Sequence, residues 1–321
     1  MKKKNAASSQ GSGVRKENSR DHSTLFKLFK RFKQSDSAGS ALIITLLLVT
    51  ILVSLVVNFV YEVQIDMSTL SNWSYAQKAS FIARSGQNLS TQYISEMNSE
   101  AYTYEQKAEL PVEKYFAPNV NLTIIIEDEN SKFNVNSIIY ENGTTNEKNL
   151  ESLKKLIEYL NINPNQALII ADWIDPDSEP RVFDSENSSK NDFLWSTDEL
   201  KFIEGIDKET FHKLRPYITV FGNNQVNINT ADMPVLVSLG PDMTEELANR
   251  IIDYRKNSPF ENKNHIVRVT GLEAAGIKML DRITVKTADF RIISQASVGE
   301  ITRVIESVVD SSLKIYFWRE G

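Results

Sequence analysis

The chain has 321 residues, 41% of them hydrophobic and 24% charged, which is enough apolar material for a large core and excludes a globally disordered protein. It carries no cysteine, so a disulfide framework, a thiolate nucleophile, a cysteine-based zinc site and an iron–sulfur cluster are all excluded. Its three histidines, His22, His212 and His265, fall in unrelated contexts and give a histidine triad or metal cluster little to build on. The formal charge of -6 hides an asymmetry: residues 1–39 hold ten Lys/Arg against Glu17, Asp21 and Asp36, a leader of +7 before a remainder of -13.

No charge occurs between Asp36 and Glu62, and Ala41 to Val60 supplies the roughly 20 apolar positions that cross a bilayer core. A cleaved secretory signal has a shorter apolar stretch that ends in a small-residue cleavage site, and that site is missing here. Basic residues before Gly39 and acidic ones after Tyr61 orient the leader to the cytoplasm and the rest beyond the membrane. Apolar or small residues continue at helical spacing through Val63, Met67, Leu70, Ala79, Ile82, Gly86, Leu89, Tyr93 and Met97. The spacing predicts one helix from Ala41 to about Met97, roughly 85 Å long. Its lower half is expected to pack that stripe on a soluble domain, with Glu62, Gln64, Asp66, Gln77 and Lys78 facing water.

Beyond the helix, Asn121 to Ile126 and Lys132 to Asn136 flank a polar turn and read as a hairpin. Phe290 to Ser297, Ile301 to Val309 and Leu313 to Trp318 read as three further strands. These five strands, split by a long stretch of different character, predict an α+β unit in which a helix packs on an antiparallel sheet interrupted by an insertion. The insertion reads as helical: Glu147 to Leu160, Pro164 to Ile174, and paired short helices in Thr197 to Tyr217 and in Thr230 to Asn257. The last two resemble helix-hairpin-helix or SAM-like units. The expected segments are therefore a basic cytoplasmic leader at 1–39, a membrane-spanning part of the helix at 40–61, helix and first strands at 62–136, an inserted helical domain at 137–286 and closing strands at 287–321.

The run Asn227 to Ala231 also opens DNA-binding helix-hairpin-helix modules, which cradle phosphate on backbone N–H groups of a glycine-rich hairpin. In this chain the hairpin is Leu239-Gly240-Pro241-Asp242-Met243, where proline removes one donor and Asp242 sets a negative charge at the phosphate position. Residues 196–290 hold twelve Lys/Arg against fourteen Asp/Glu, the reverse of a basic DNA footprint. These helices are read as packing units and no nucleic-acid partner is expected; a membrane-anchored DNA-binding protein linked to a pilus or to competence is the alternative.

From Asp172 to Asp192 seven carboxylates fall within 21 residues, shaped by Pro176 and Pro180 and offset only by Arg181 and Lys190. Hard oxygen ligands at such spacing suit calcium, although the glycine and terminal glutamate of an EF-hand are missing. A solvated acidic loop has the same composition. A carboxylate pair working as acid and base would make the chain an anchored hydrolase, but no second motif supports that reading, and no enzymatic activity is expected.

A basic leader, then Gly39-Ser40-Ala41-Leu42-Ile43 opening a spanning helix that runs into a globular domain, resembles the type IV pilin and pseudopilin class. The resemblance implies that a prepilin peptidase cuts between Gly39 and Ser40 on the cytoplasmic face and methylates the new N-terminus. Most members carry a glutamate at the fifth mature position, where this chain has Ile44. A carboxylate in the bilayer is costly unless paired, so Ile44 suits a subunit with nothing above it. Phe133 to Asn136, Asp172 to Pro180, Leu214 to Val220, Val226 to Ala231 and Ile301 to Val309, in that order, are similar to the K-type minor pseudopilins of type II secretion systems. That resemblance implies a pseudopilin fold with a large helical insertion, anchored in the inner membrane with its C-terminal domain in the periplasm. It implies a place at the pseudopilus tip with I- and J-type minor pseudopilins, above the major pseudopilin, in the export of folded proteins. It further implies calcium held by Asp175, Asp177, Glu179 and Glu186, although the family's Gly-Ala-Glu is Asp184-Ser185-Glu186 here and the leader is longer than usual.

Overall fold

The computed structural model describes residues 39–110 and 119–321; the basic leader before Gly39 lies outside them. The described residues fall into two units, Gly39 to Ser71 and Asn72 onward. Helix α1 is Gly39–Ser99. Its apolar stretch makes it the described helix long and apolar enough to cross a membrane, and none of the residues in that window is buried.

In the second unit α1 buries Ala79, Ala83, Gly86, Gln87, Ser90 and Ile94. This differs from the expected stripe: Leu89 is exposed, and in the first unit so are Val63, Met67 and Leu70. The reason is distance. Small side chains let α1 lie almost against the sheet, and a Cβ added at Gly86 would collide with Ser294 Oγ and come within 3.2 Å of Leu122 and Ile124. Gln87 then reaches the sheet backbone, donating from Nε2 to Ile305 O at 3.0 Å and accepting from Ser307 Oγ at 2.6 Å.

After α1 come β1 (Lys107–Leu110) and β2 (Val120–Asp128). A short 3-10 turn at Glu129–Ser131 follows, capped by Asp128, and leads to β3 (Phe133–Asn134). The expected hairpin across this turn is not formed. Strand β2 pairs with β1 and with a strand from the C-terminal end, while Phe133 and Asn134 pair in parallel with Ile218 and Thr219. The Asp128 and Asn134 side chains accept from Asn130 N at 2.7 Å and Asn136 N at 3.0 Å, and these caps turn the chain away from a two-stranded return.

The helical region has two halves, each with its own core. The first contains α2 (Glu147–Tyr159), α3 (Asn165–Ile174), α4 (Lys208–Leu214) and β4 (Ile218–Thr219), packed around Leu153, Leu156, Ile170, Phe211 and Leu214. The second contains β5 (Val226–Asn227), α5 (Met233–Ser238), α6 (Glu245–Asn257), α7 (Ala275–Met279) and β6 (Ile283–Thr284), packed around Leu236, Ile251, Phe260 and Leu272. Each half is closed by one small parallel pair, β3 with β4 and β5 with β6.

The chain then returns through β7 (Asp289–Val298), β8 (Ile301–Asp310) and β9 (Ile315–Glu320). The sheet is antiparallel with order β1-β2-β7-β8-β9, so the neighbours β2 and β7 flank the whole helical region in sequence. Apolar residues of β2, β7 and β8, including Leu122, Ile124, Phe290, Ile292 and Ile305, share a core with Ala83 and Ile94 of α1.

Glu129, wholly buried, ties the sheet to this insertion: it meets Arg291 Nε at 2.7 Å and Lys132 Nζ at 2.7 Å, and it accepts from the Thr219 hydroxyl. Burial alone would push its carboxyl up, but Lys132 and Arg291 overcome it and hold Glu129 down at about 2.

The close approach at Gly86 gives a test. Overpacking a tight contact costs about 1–3 kcal/mol, so Gly86→Val is expected to lower the stability of the segment from Asn72 onward by at least that amount in urea unfolding, while Leu89→Ala, at an exposed position, changes little.

Candidate functional site

The acidic loop begins inside α3. Asp172 lies in its last turn and is completely buried, where it accepts from Arg181 N at 2.9 Å, from Arg181 Nη1 at 2.6 Å and from the Ser185 hydroxyl. These bonds fold the segment after Pro176 back over the helix end. Gly143, at φ +84°, sits so close to Pro176 that an added Cβ would be 2.6 Å from the ring, so the turn before α2 fixes the loop from the other side. Arg181 completes the cradle by donating to Asp175 Oδ2 and, at 2.8 Å, to Thr145 Oγ1.

This folding brings three of the four expected ligands together. Oxygen atoms of Asp175, Asp177 and Glu186 lie within 4.8 Å of one another, a spacing that oxygens at 2.3–2.6 Å around one calcium ion can have. Asp175 is buried, Glu186 is half-buried and Asp177 is exposed. Glu179 is exposed and stands outside the group; its backbone N–H donates to Asp177 Oδ1 at 2.8 Å and closes the turn.

Asp175 Oδ1 and both carboxylate oxygens of Glu186 are buried and accept no well-formed hydrogen bond among the described residues. Leaving such oxygens bare in a folded protein is costly. Burial pushes the Glu186 carboxyl up; the Ser189 hydroxyl opposes the rise, and the charges of Asp175, Asp172 and Asp177 add to it. Burial likewise pushes Asp175 up despite Arg181 beside it. A divalent cation would satisfy all three oxygens at once, so the donor set fits calcium. Lys190 does not compensate the charge, because its Nζ is 2.7 Å from Glu199 and lies over the Trp195 ring.

Asp172 belongs to the acidic run but had no sign of a role different from its neighbours. Its distinguishing feature is its position in the last turn of α3, facing inward, which places it against Arg181. Gly39 and Ser40, the expected processing position, are the first two residues of α1, and Ile44 lies one turn further on.

The family description "Type II secretion system (T2SS), protein K" matches residues 131–223 and, in a second part, residues 226–286. Two models of the type II secretion system protein K family thus match this chain in order and together span just under half of it. The protein K of Aeromonas hydrophila is 24% identical over 308 residues, covering 84% of this chain and 92% of the relative. That of Dickeya chrysanthemi is 27% identical over 153 residues, 43% of each. Among solved structures, the fold matches a chain in the crystal structure of the GspK–GspI–GspJ complex from enterotoxigenic Escherichia coli with a TM-score of 0.64 at 20% identity, covering 79% of this chain and 99% of that one.

The two family matches coincide with the two halves of the helical region, and the helix-hairpin-helix-like hairpin belongs to the second. In this chain the hairpin's backbone carbonyls are held from within. Lys155 Nζ of α2 donates to Gly240 O at 2.8 Å and Met243 O at 2.5 Å, and Arg282 donates to Leu239 O. Asp242 pairs with Lys278 at 2.7 Å. The hairpin therefore joins the two halves of the insertion.

The orphaned oxygens set an expectation for the loop variants. Removing negative charge relieves uncompensated burial in a metal-free protein, so Glu186→Gln is expected to raise the melting temperature in excess EDTA by a few degrees, and a drop measured in EDTA would argue that the carboxylate is satisfied without a metal.

Proposed function

We propose that this chain is the minor pseudopilin that starts a type II secretion pseudopilus and stays at its tip, supporting export of folded proteins. The observation that carries this reading is the construction of α1: an uncharged spanning stretch beginning at Gly39, with Ile44 in place of a carboxylate, running into a sheet that bears a bulky insertion. A subunit that joins beneath another can pair a bilayer carboxylate with the amine above it. A first subunit has no such partner, and an apolar Ile44 avoids a cost of about 3 kcal/mol for an isolated charge at membrane depth.

In this reading the basic leader remains in the cytoplasm, the spanning part of α1 lies in the inner membrane and the region from the sheet onward is periplasmic. Prepilin peptidase cuts after Gly39, Ser40 becomes the methylated N-terminus, and the helix can then leave the membrane with the growing fibre. The E. coli GspK chain of similar fold was crystallised with GspI and GspJ, which supports I- and J-type minor pseudopilins as the neighbours here and the major pseudopilin below them. The role is structural, with no reaction of the chain's own.

Calcium has a structural part in the same reading. Asp175, Asp177 and Glu186 would hold the ion, which supplies positive charge to a loop rich in carboxylates. Arg181 meanwhile keeps Asp172 and Asp175 oriented, so that the helix end and the loop stay joined.

Two outcomes check these proposals. A metal at about 100 times its Kd adds roughly 2.7 kcal/mol to stability, so calcium should raise the melting temperature by about 5–10 °C; Asp175→Asn or Asp177→Asn should abolish the rise, and no shift at millimolar calcium removes the metal. Intact-mass analysis of the protein from secreting cells should find Ser40 as the first residue, and Ile44→Glu should reduce secretion by delaying initiation while leaving the amount of processed protein unchanged. A mature chain that still carries its leader in secreting cells would overturn the assembly reading.

A further inference from the structure

Asp289 is the first residue of β7, where the chain re-enters the sheet after the second helical half. It is only 6% exposed, yet its carboxylate accepts no hydrogen bond among the described residues. Only its backbone is tied, with the N–H donating to Asn130 Oδ1 at 3.2 Å. Directly opposite in the β7–β8 register stands a second acid, Asp310. That carboxylate is engaged on both oxygens: Oδ1 accepts from Ser312 N at 2.8 Å, Ser312 Oγ at 2.6 Å and Lys314 N at 3.0 Å, and Oδ2 from Tyr316 at 3.0 Å. It has little left to offer Asp289 except repulsion.

The other wall around Asp289 is the linker 222–225, which joins the two halves of the insertion. Gly222 takes φ +98°, and a Cβ there would come within 3.3 Å of Asp289 Oδ2, so linker backbone lies against the carboxyl. Side-chain amides hold the linker in place. Asn130 Nδ2 donates to Asn223 Oδ1 at 3.0 Å and Gln225 O at 2.9 Å, and Asn134 Nδ2 donates to Asn224 Oδ1 at 2.8 Å.

The titratable groups facing Asp289 are Asp310 from β8, Tyr316 from β9, and Asp128 and Glu129 at the end of β2. Burial first, then the charges of Asp310, Glu129 and Asp128, push Asp289 up from 3.8 to about 6. Asp128 is also pushed up to about 6 by burial, but it keeps donors in Asn227 at 2.9 Å and Thr230 at 2.6 Å, so its ionised form is accommodated where it stands. Asp289 lacks such donors. An ionised Asp289 is hydrated only through the small area it exposes, and strand β7 cannot yield to widen it because its register with β8 runs unbroken from Asp289 to Val298. The linker, with a glycine and exposed asparagines, is the wall that can move.

We propose that Asp289 is a protonation switch for the linker between the two halves of the insertion. Neutral, it lets residues 222–225 lie against the strand end; ionised, it parts linker from strand while the 239–243 hairpin keeps the two halves joined. The closed arrangement binds the proton more tightly than an open one, in which Asp289 returns towards 3.8. Closure is therefore strongest below the ordinary aspartate range, weakens as pH rises towards 6 and is level above about 7. From pH 5.5 to 7.5 the opening equilibrium should rise about fourfold.

Hydrogen exchange on the full chain in detergent, corrected for intrinsic rates, reads this directly. Amides of 221–225 should open about fourfold more at pH 7.5 than at pH 5.5, while amides of β7 and β8 change by less. Asp289→Asn should hold the linker equally protected at both values. The same fourfold response in Asp289→Asn, its absence in the wild type, or its loss in Asp128→Asn instead would each overturn the proposal. Should Asp289→Asn fail to fold, Asp310→Asn replaces it: removing the opposing charge should reduce the response to about twofold, and an undiminished response overturns the switch.

Discussion

Strands β2 and β7 pair along their whole length, from Val120 with Val298 to Asp128 with Phe290, although the entire helical region lies between them in sequence. Such an arrangement works only if the insertion leaves and re-enters the sheet at one point, and that point must satisfy its own buried polar groups. Glu129 and Arg291, 162 positions apart, close this joint. Arg291 also meets Glu306 of β8, and Arg319 of β9 reaches Glu306 at 2.5 Å and Asp198 in the insertion at 3.0 Å, so three sheet strands and the first helical half share one chain of charges. A buried network of this kind contributes orientation more than net stability, because desolvation offsets much of the Coulomb attraction.

Around that joint asparagine takes over the work that longer ladders do elsewhere. The parallel pairs β3–β4 and β5–β6 are two residues long, too short to hold anything by themselves. Asn136 spans from Leu194 O to Val220 O, Asn227 from Thr103 O to Asp128, and Asn229 accepts from Phe260 N while donating to Phe260 O. Each side chain carries two donors and an acceptor, so one buried residue can fix two backbone segments that share no secondary structure. The two family matches each begin near one of these sites, Asn136 in the first and Asn227 in the second.

Elements with strong period or punctuation were legible in the sequence. The long helix, the helices Glu147–Tyr159 and Asn165–Ile174, and strands β7 to β9 lie close to where periodicity put them. What failed did so for local reasons. Lys107–Leu110 reads Lys-Ala-Glu-Leu, with no β-branched residue to mark a strand, and it exists because β2 offers an edge. The β-rich runs on either side of the polar turn Glu127 to Ser131 read as a hairpin, but the composition of a run says nothing about which partner a strand chooses. In the loop, composition identified an acidic cluster and could not separate Asp172, spent on Arg181, from Glu186, left bare, or Glu179, turned outward.

The bare oxygens and the bulky insertion belong to one physical problem. A subunit at the end of a fibre gains contacts on one side only, so its exposed domain must hold its shape without neighbours. The acidic loop spans from the end of α3 to the start of the 3-10 segment Thr197–Phe202, which is otherwise joined to the core by Leu200 alone among its buried apolar side chains. The calcium proposed above would constrain that span without adding apolar bulk, through ligands of which Asp177 stays exposed. An apolar staple at the same place would need the larger core that a surface loop cannot enclose. Such a bridge would suit the proposed place at the tip, where the fold has to be rigid and its exposed loop stays in solvent.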